Sequence, residues 1–272
     1  MRTETAWRLP ARGTAPESRQ VYGKCLEREL DYTSLYLRYN TGLHISENGR
    51  ALSGLLDEVV ARWPVEVKQI SLVGHSMGGL VARGAAHYAS EEQASWVRHL
   101  WHTVSLGSPH MGAPIVQGLQ HLTHGLRALP ETRPFGNFWA RRSAGVRDLR
   151  QGSLVDEDWR DRDPDALEAV ATAEVPLLED VAHYFVTASV TRSPRHPIGR
   201  VVGDTLVLVP SASGRSRSRR VGFRSDAGMH LGGAHHMALL NHPAIYEQLR
   251  SWVGTDPRQL GPDRQRLQLA PA

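Results

Sequence analysis

The sequence predicts an α/β fold in which a mostly parallel sheet is flanked by helices. Two observations predict it. Short apolar segments of strand length alternate with segments whose apolar residues recur at helical spacing, and Gly or Pro residues separate many of them. Because strand–helix–strand units join parallel strands, this alternation favours one parallel sheet. The 272 residues suit one such domain, which we expect over residues 1–253, with a loose polar tail over 254–272.

The first half of the chain supplies two helices and two strands. Apolar side chains three and four positions apart predict helices at residues 19–30 and 48–63, and Pro64 ends the second. Short apolar runs predict strands at residues 34–39 and 69–73, each followed by a glycine-containing turn.

The second half continues the alternation. Helical spacing predicts helices at residues 77–90 and 238–253, and apolar runs predict strands at 100–106 and 181–190. The stretch 112–180 is irregular and rich in Arg, Gly and Trp. We expect it to form a lid-like or cap-like insertion over the top edge of the sheet, which either serves as a lid or acyl-pocket wall or simply covers the sheet.

Composition excludes several classes of protein. Cys25 is the single cysteine, so no intrachain disulfide can form, and its helical position suits a small apolar filler. No apolar run has the roughly 18–20 residues of a transmembrane helix, and the N-terminus has no secretory apolar core. The sequence as it stands therefore predicts a cytoplasmic protein. The densest basic run, residues 214–224, carries no nucleic-acid motif, so we expect a solvated loop and no nucleic-acid partner.

The strongest chemical signal is G-x-S-x-G at Gly74–Gly78, with Ser76 at its centre. The motif is weak alone, but here it lies between an apolar strand and a helix, which is the context it requires. A serine at such a turn has a strained backbone, and the glycines two positions away let neighbouring segments approach. The N-terminus of the following helix directs backbone N–H groups towards a developing anion.

Together with three further segments, this motif resembles the lipase/esterase-like α/β-hydrolases, in particular triacylglycerol-lipase-like proteins. LGSPHMGAP at residues 106–114 is similar to the stretch that follows the next strand in these proteins. GDTLVLVPSASG at residues 203–214 resembles their acid-bearing segment. GGAHHMALLNHPAIYEQLRSWV at residues 232–253 resembles their histidine segment. The resemblance covers roughly residues 20–253.

The resemblance implies a catalytic triad of Ser76, Asp204 and His236, in the chain order of α/β-hydrolases. Ser76 would be the nucleophile, His236 the general base, and Asp204 the group that orients the imidazole. The backbone N–H of Met77 would donate one oxyanion hydrogen bond. The expected substrate is a small-molecule or lipid ester, and neither a cofactor nor a metal is expected.

Several alternatives stay open in the sequence. His235 is an alternative base, although His236 directly precedes the apolar run at residues 237–240, as the family histidine does. Asp180 and Asp226 are rival acids, but neither lies in the Gly-Asp-x-Leu-Val context of Asp204.

Four more histidines receive structural interpretations. We expect His75 to pack beneath the serine and His110 to shape the pocket wall. His121 and His124 lie three positions apart without a recognisable third ligand, so we expect ordinary surface residues near a lid.

The sequence departs from the family at its N-terminus. No apolar strand and no His-Gly loop precede residue 19, although that loop supplies the second oxyanion donor in the family. We therefore expect that the native chain begins upstream. The alternatives are a weakly active or non-catalytic hydrolase-fold chain, or an acyltransferase or thioesterase with the same triad. The oligomeric state is not predicted.

Overall fold

A four-stranded parallel sheet forms the centre of the protein. The computed structural model describes residues 7, 21–113, 143–160, 173–193, 196, 202–216 and 219–257. Within them the strands pair in the order β1-β2-β3-β4, and each pair is parallel. The strands are β1 (Ile70–His75), β2 (Leu100–Leu106), β3 (Ala182–Ser189) and β4 (Gly228–Gly232).

Helices occupy most of the connections between and beyond the strands. The α-helices are α1 (Tyr22–Leu30), α2 (Ile45–Arg62), α3 (Met77–Glu91), α4 (Ala144–Gln151), α5 (Val209–Ala212) and α6 (Pro243–Val253). Short 3-10 helices span Ser95–His99, Asp156–Asp158 and His236–Leu240.

Two buried apolar clusters hold the helices against the sheet. The first joins α2, α3 and α4, with Leu52, Leu80 and Leu149 among its members. The second joins α1 and α6 to the inner strands and includes Val104 and Leu249. Burying one such side chain stabilises the fold by about 1.5–3 kcal/mol, so these contacts position the strand ends.

This architecture confirms the predicted α/β fold with a parallel sheet flanked by helices. The strand predicted at 100–106 has the observed bounds, and the elements predicted at 69–73, 77–90 and 181–190 differ only at their ends. The sequence analysis missed β4, which is short and begins and ends with glycine, and α4, which lies inside the stretch interpreted as irregular.

The strand predicted at residues 34–39 is wrong. Half-buried and exposed residues alternate only over 34–37, and residues 34–39 pair with no strand among the described residues. Leu35 and Leu37 are 61% and 40% exposed, so the apolar run does not enter the sheet. An extended segment becomes a strand only through hydrogen bonds to a neighbour, which local sequence does not reveal.

The helix predicted at 238–253 is also divided in two. A 3-10 turn ends at Leu240, and α6 begins at Pro243. Proline has no N–H to donate and suits the first turn of a helix, so it starts a new helix at this point.

Candidate active site

Ser76 lies at a sharp turn between β1 and α3. Its backbone has φ 55° and ψ −124°, a conformation that costs a non-glycine residue about 1–3 kcal/mol. Its N–H donates to the carbonyl of Leu106 at the end of β2 (2.9 Å). A Cβ on Gly74 would stand 2.4 Å from the Gly78 backbone, so the turn depends on glycine there. The predicted strand–turn–helix context of the serine is therefore present.

Met77 is the first residue of α3, and its side chain is buried. A backbone N–H in the first turn of a helix has no acceptor within that helix, and the helix dipole makes this end electropositive. The N–H of Met77 therefore belongs to the class of donor that stabilises an oxyanion.

Asp204 and His236 form a buried pair, each side chain being 1% exposed. His236 Nδ1 lies 2.7 Å from Asp204 Oδ2, and the His236 N–H donates to the Asp204 carbonyl at 2.8 Å. The other carboxylate oxygen accepts the N–H groups of Leu206 (3.0 Å) and Val207 (2.7 Å). With Nδ1–H donating to the carboxylate, Nε2 is the ring nitrogen left to accept a proton.

His75 and Gly107 connect this pair to the serine turn. The His75 ring lies 4.4 Å from the His236 ring, and its Nε2–H donates to the His236 carbonyl at 3.1 Å. A Cβ on Gly107, the residue after β2, would stand 3.1 Å from His236 Nδ1. His236 thus packs against His75, the residue before Ser76, and against the end of β2, whose Leu106 carbonyl accepts the Ser76 N–H. Asp204 and His236 therefore contact each other beside the turn that carries Ser76.

His75 is buried, as the sequence analysis expected of a residue beneath the serine. Burial, reinforced by the neighbouring His236, holds the pKa of His75 well below its usual range. The ring is therefore neutral near neutral pH.

The rival residues lie in different surroundings. Asp226 is exposed and forms an ion pair with Arg224 at 3.0 Å, and Asp180 is exposed as well. His235 is half-buried and precedes the 3-10 turn that begins at His236.

His110 is buried just after β2. Neither of its ring nitrogens has a hydrogen-bond partner among the described residues, and its ring lies edge-on to Phe223 at 5.1 Å. Burial, with Arg83 and His183 nearby, lowers the pKa of His110 well below its usual range. The ring is therefore neutral near neutral pH, and its role as a pocket wall stays a prediction.

Among the described residues, no group of three His, Cys, Asp or Glu side chains is arranged to hold a metal ion. His121 and His124 lie outside the described residues.

The sequence analysis missed Tyr39. It was interpreted as the end of a strand, but its hydroxyl lies 3.8 Å from where a Cβ on Gly78 would stand, beside the serine turn. No local signal reveals this contact, because it joins two segments about forty residues apart.

Comparison with known proteins gives one family match. Residues 15–159, just over half of the chain, match the family described as PGAP1-like alpha/beta domain. A search of curated proteins found no match.

Solved structures similar to the chain include a lipase, an esterase and a lipase-esterase related protein. The mature lipase BlEst2 of Bacillus licheniformis has 14% identity and a TM-score of 0.45, covering 78% of this chain and 75% of that one. Naproxen esterase of Bacillus subtilis has 14% identity and a TM-score of 0.42, covering 81% and 70%. A lipase-esterase related protein of Clostridium acetobutylicum has 12% identity and a TM-score of 0.41, covering 85% and 88%.

Among the described helices, none combines the length and the hydropathy needed to cross a lipid bilayer.

Proposed function

Because the chain belongs to the PGAP1-like alpha/beta domain family, we propose that it is a serine hydrolase that cleaves carboxylic esters. The family and the parallel sheet confirm the predicted α/β-hydrolase class. The reaction, the residues that carry it out and the substrate are proposed below.

One observation carries the proposal: a buried Asp–His pair packs against a strained serine turn. The 2.7 Å contact between Asp204 and His236 is the arrangement that orients a general base. The strained φ of Ser76 is the feature expected of a serine exposed at a strand-to-helix turn. Strain and buried polar pairs both cost free energy, so their coincidence at one strand edge favours catalysis over a purely structural role.

The reaction proceeds through an acyl-enzyme. Ser76 Oγ attacks the ester carbonyl while His236 Nε2 takes its proton. The Met77 N–H stabilises the oxyanion, and the tetrahedral intermediate collapses as His236 returns the proton to the leaving alcohol. Water then attacks the acyl-enzyme with His236 again as base, and Asp204 stabilises the imidazolium throughout.

The substrate is proposed to be a small-molecule or lipid ester. The predicted lid or cap over residues 112–180 would contact its acyl chain, but most of this stretch lies outside the described residues. Its described segment at 143–160 places Leu149 and Leu154 in the first apolar cluster. A Cβ on Gly145 of α4 would stand 3.2 Å from the Met77 side chain, so α4 lies beside the proposed oxyanion donor.

The test is covalent labelling with a fluorophosphonate and turnover of p-nitrophenyl esters. Ser76→Ala should remove labelling and lower kcat by about 10³ or more, because only the nucleophilic oxygen is lost. Ser90→Ala is the matched control, since Ser90 is an exposed serine on the same helix. Labelling of the wild-type protein with unchanged labelling of Ser76→Ala would overturn the assignment.

Two outcomes distinguish the alternatives left by the sequence. A labelled Ser76 that transfers its acyl group to an added alcohol or thiol faster than to water would indicate an acyltransferase or thioesterase. A folded wild-type protein with no labelling and no turnover would indicate a non-catalytic member of the fold.

A further inference from the structure

The hydroxyl of Tyr39 is directed to the serine turn. Apart from the helix's own backbone and chain neighbours, Tyr39 Oη is the one described atom within 4 Å of a Cβ built on Gly78, at 3.8 Å. Among the described residues, this oxygen is therefore the side-chain atom that faces the Gly78 position. Gly78 adjoins Met77, the residue whose N–H is the first proposed oxyanion donor.

The Tyr39 ring is held where it lies. It packs against the first apolar cluster, which also contains the Met77 side chain. The chain that follows is anchored, since Asn48 Nδ2 donates to the Asn40 carbonyl at 3.0 Å and the Leu43 N–H donates to the same carbonyl at 3.2 Å. A side chain fixed by packing and by anchored flanking backbone is a preorganised donor.

The site needs a second donor. An oxyanion hole uses donors placed about 2.7–3.1 Å from the oxyanion, and one backbone N–H supplies only part of the stabilisation. Burial raises the pKa of Tyr39 to about 12, so the phenol stays protonated over the working range of an esterase.

We propose that Tyr39 donates the second hydrogen bond to the oxyanion formed on Ser76, opposite the N–H of Met77. This inference rests on the proposed function. Tyr39 keeps its proton throughout: the hydroxyl shortens its hydrogen bond as the carbonyl oxygen becomes negative and releases it when the intermediate collapses. Tyr39 would then supply the second donor that the resemblance assigns to the backbone of a His-Gly loop.

Tyr39→Phe tests the proposal, because it removes one oxygen and keeps the packed ring. We expect kcat for p-nitrophenyl esters to fall by about 10²–10³, with KM little changed. Tyr36→Phe is the matched control, since it removes a hydroxyl from the same extended segment, and it should retain wild-type kcat.

A boronic acid inhibitor separates transition-state binding from packing. Its adduct with Ser76 is tetrahedral and places an oxygen in the oxyanion position, so Tyr39→Phe should weaken it by a factor similar to the loss of kcat. If the ring had only a structural role, the variant would lower the melting temperature without this selective loss.

Fluorophosphonate labelling separates failure of this inference from failure of the proposed function. If wild-type Ser76 is labelled and Tyr39→Phe retains kcat and boronate affinity within about threefold, the hydroxyl is not an oxyanion donor. If wild-type Ser76 is not labelled, the proposed function itself fails.

Discussion

Replacing Asp204 by Asn changes one atom at the centre of the proposed triad. Asp204 Oδ1 accepts the N–H groups of Leu206 and Val207, and Oδ2 faces His236 Nδ1 at 2.7 Å. The Asn oxygen can keep both backbone hydrogen bonds. Its NH₂ group must then face His236 Nδ1, where the carboxylate oxygen lies in the native protein.

This exchange favours the wrong imidazole tautomer. An amide NH₂ donates, so Nδ1 must accept and the ring proton moves to Nε2. A protonated Nε2 cannot take the proton of Ser76. The same substitution in a serine protease triad lowers kcat by about 10⁴ with the geometry intact, and we expect a loss of that order.

Stability should change far less than activity. The two backbone hydrogen bonds and the shape of the side chain remain, while one charge-assisted hydrogen bond becomes neutral. Hydrogen bonds to charged groups contribute about 1.5–3 kcal/mol and neutral ones about 0.5–1.5 kcal/mol. The free energy of unfolding should therefore fall by about 1–2 kcal/mol.

The measurement pairs kcat for a p-nitrophenyl ester with urea unfolding of the same variant. Asp226→Asn is the matched control, because Asp226 is a rival acid in the sequence but is exposed and paired with Arg224. It should alter kcat by less than about twofold. A large loss in Asp226→Asn with near wild-type kcat in Asp204→Asn would refute the assignment of the acid.

Three further predictions follow from the site and its surroundings. His236→Ala should abolish ester turnover and His235→Ala should retain most of it, because His236 is the ring hydrogen-bonded to the buried carboxylate; steady-state kinetics would expose the reverse order. Burial lowers the pKa of His183 from 6.5 to about 4. Between pH 6.5 and about pH 4 the imidazole is therefore protonated in the unfolded state and neutral in the folded state, so the free energy of unfolding should fall as the pH drops through this window. Urea unfolding at about pH 7 and pH 5 checks this, and His183→Gln should reduce the slope. Treatment with a chelator should leave turnover unchanged, since the proposed triad uses no metal; activity restored by a divalent ion would bring His121 and His124 back into question.

The sequence by itself determined the elements whose signals are local. The strand at Leu100–Leu106 and the helix from Met77 follow from apolar spacing and from the glycines around Ser76. Ser76, Asp204 and His236 were named by the resemblance to α/β-hydrolases, which rests on the turn, the Gly-Asp segment and the histidine before an apolar run, and their roles stay a prediction.

Only the tertiary structure decided which segments meet. The apolar run at residues 34–39 predicts a strand, yet pairing is a property of two segments, and these residues pair with no described strand. The choice between His235 and His236 rests on a carboxylate thirty-two residues away in the chain, and local sequence does not encode that distance. Tyr39 was invisible as a candidate donor for the same reason. Its hydroxyl reaches the serine turn only because packing against the first apolar cluster brings the two segments together, and long-range packing is what a local pattern leaves undetermined.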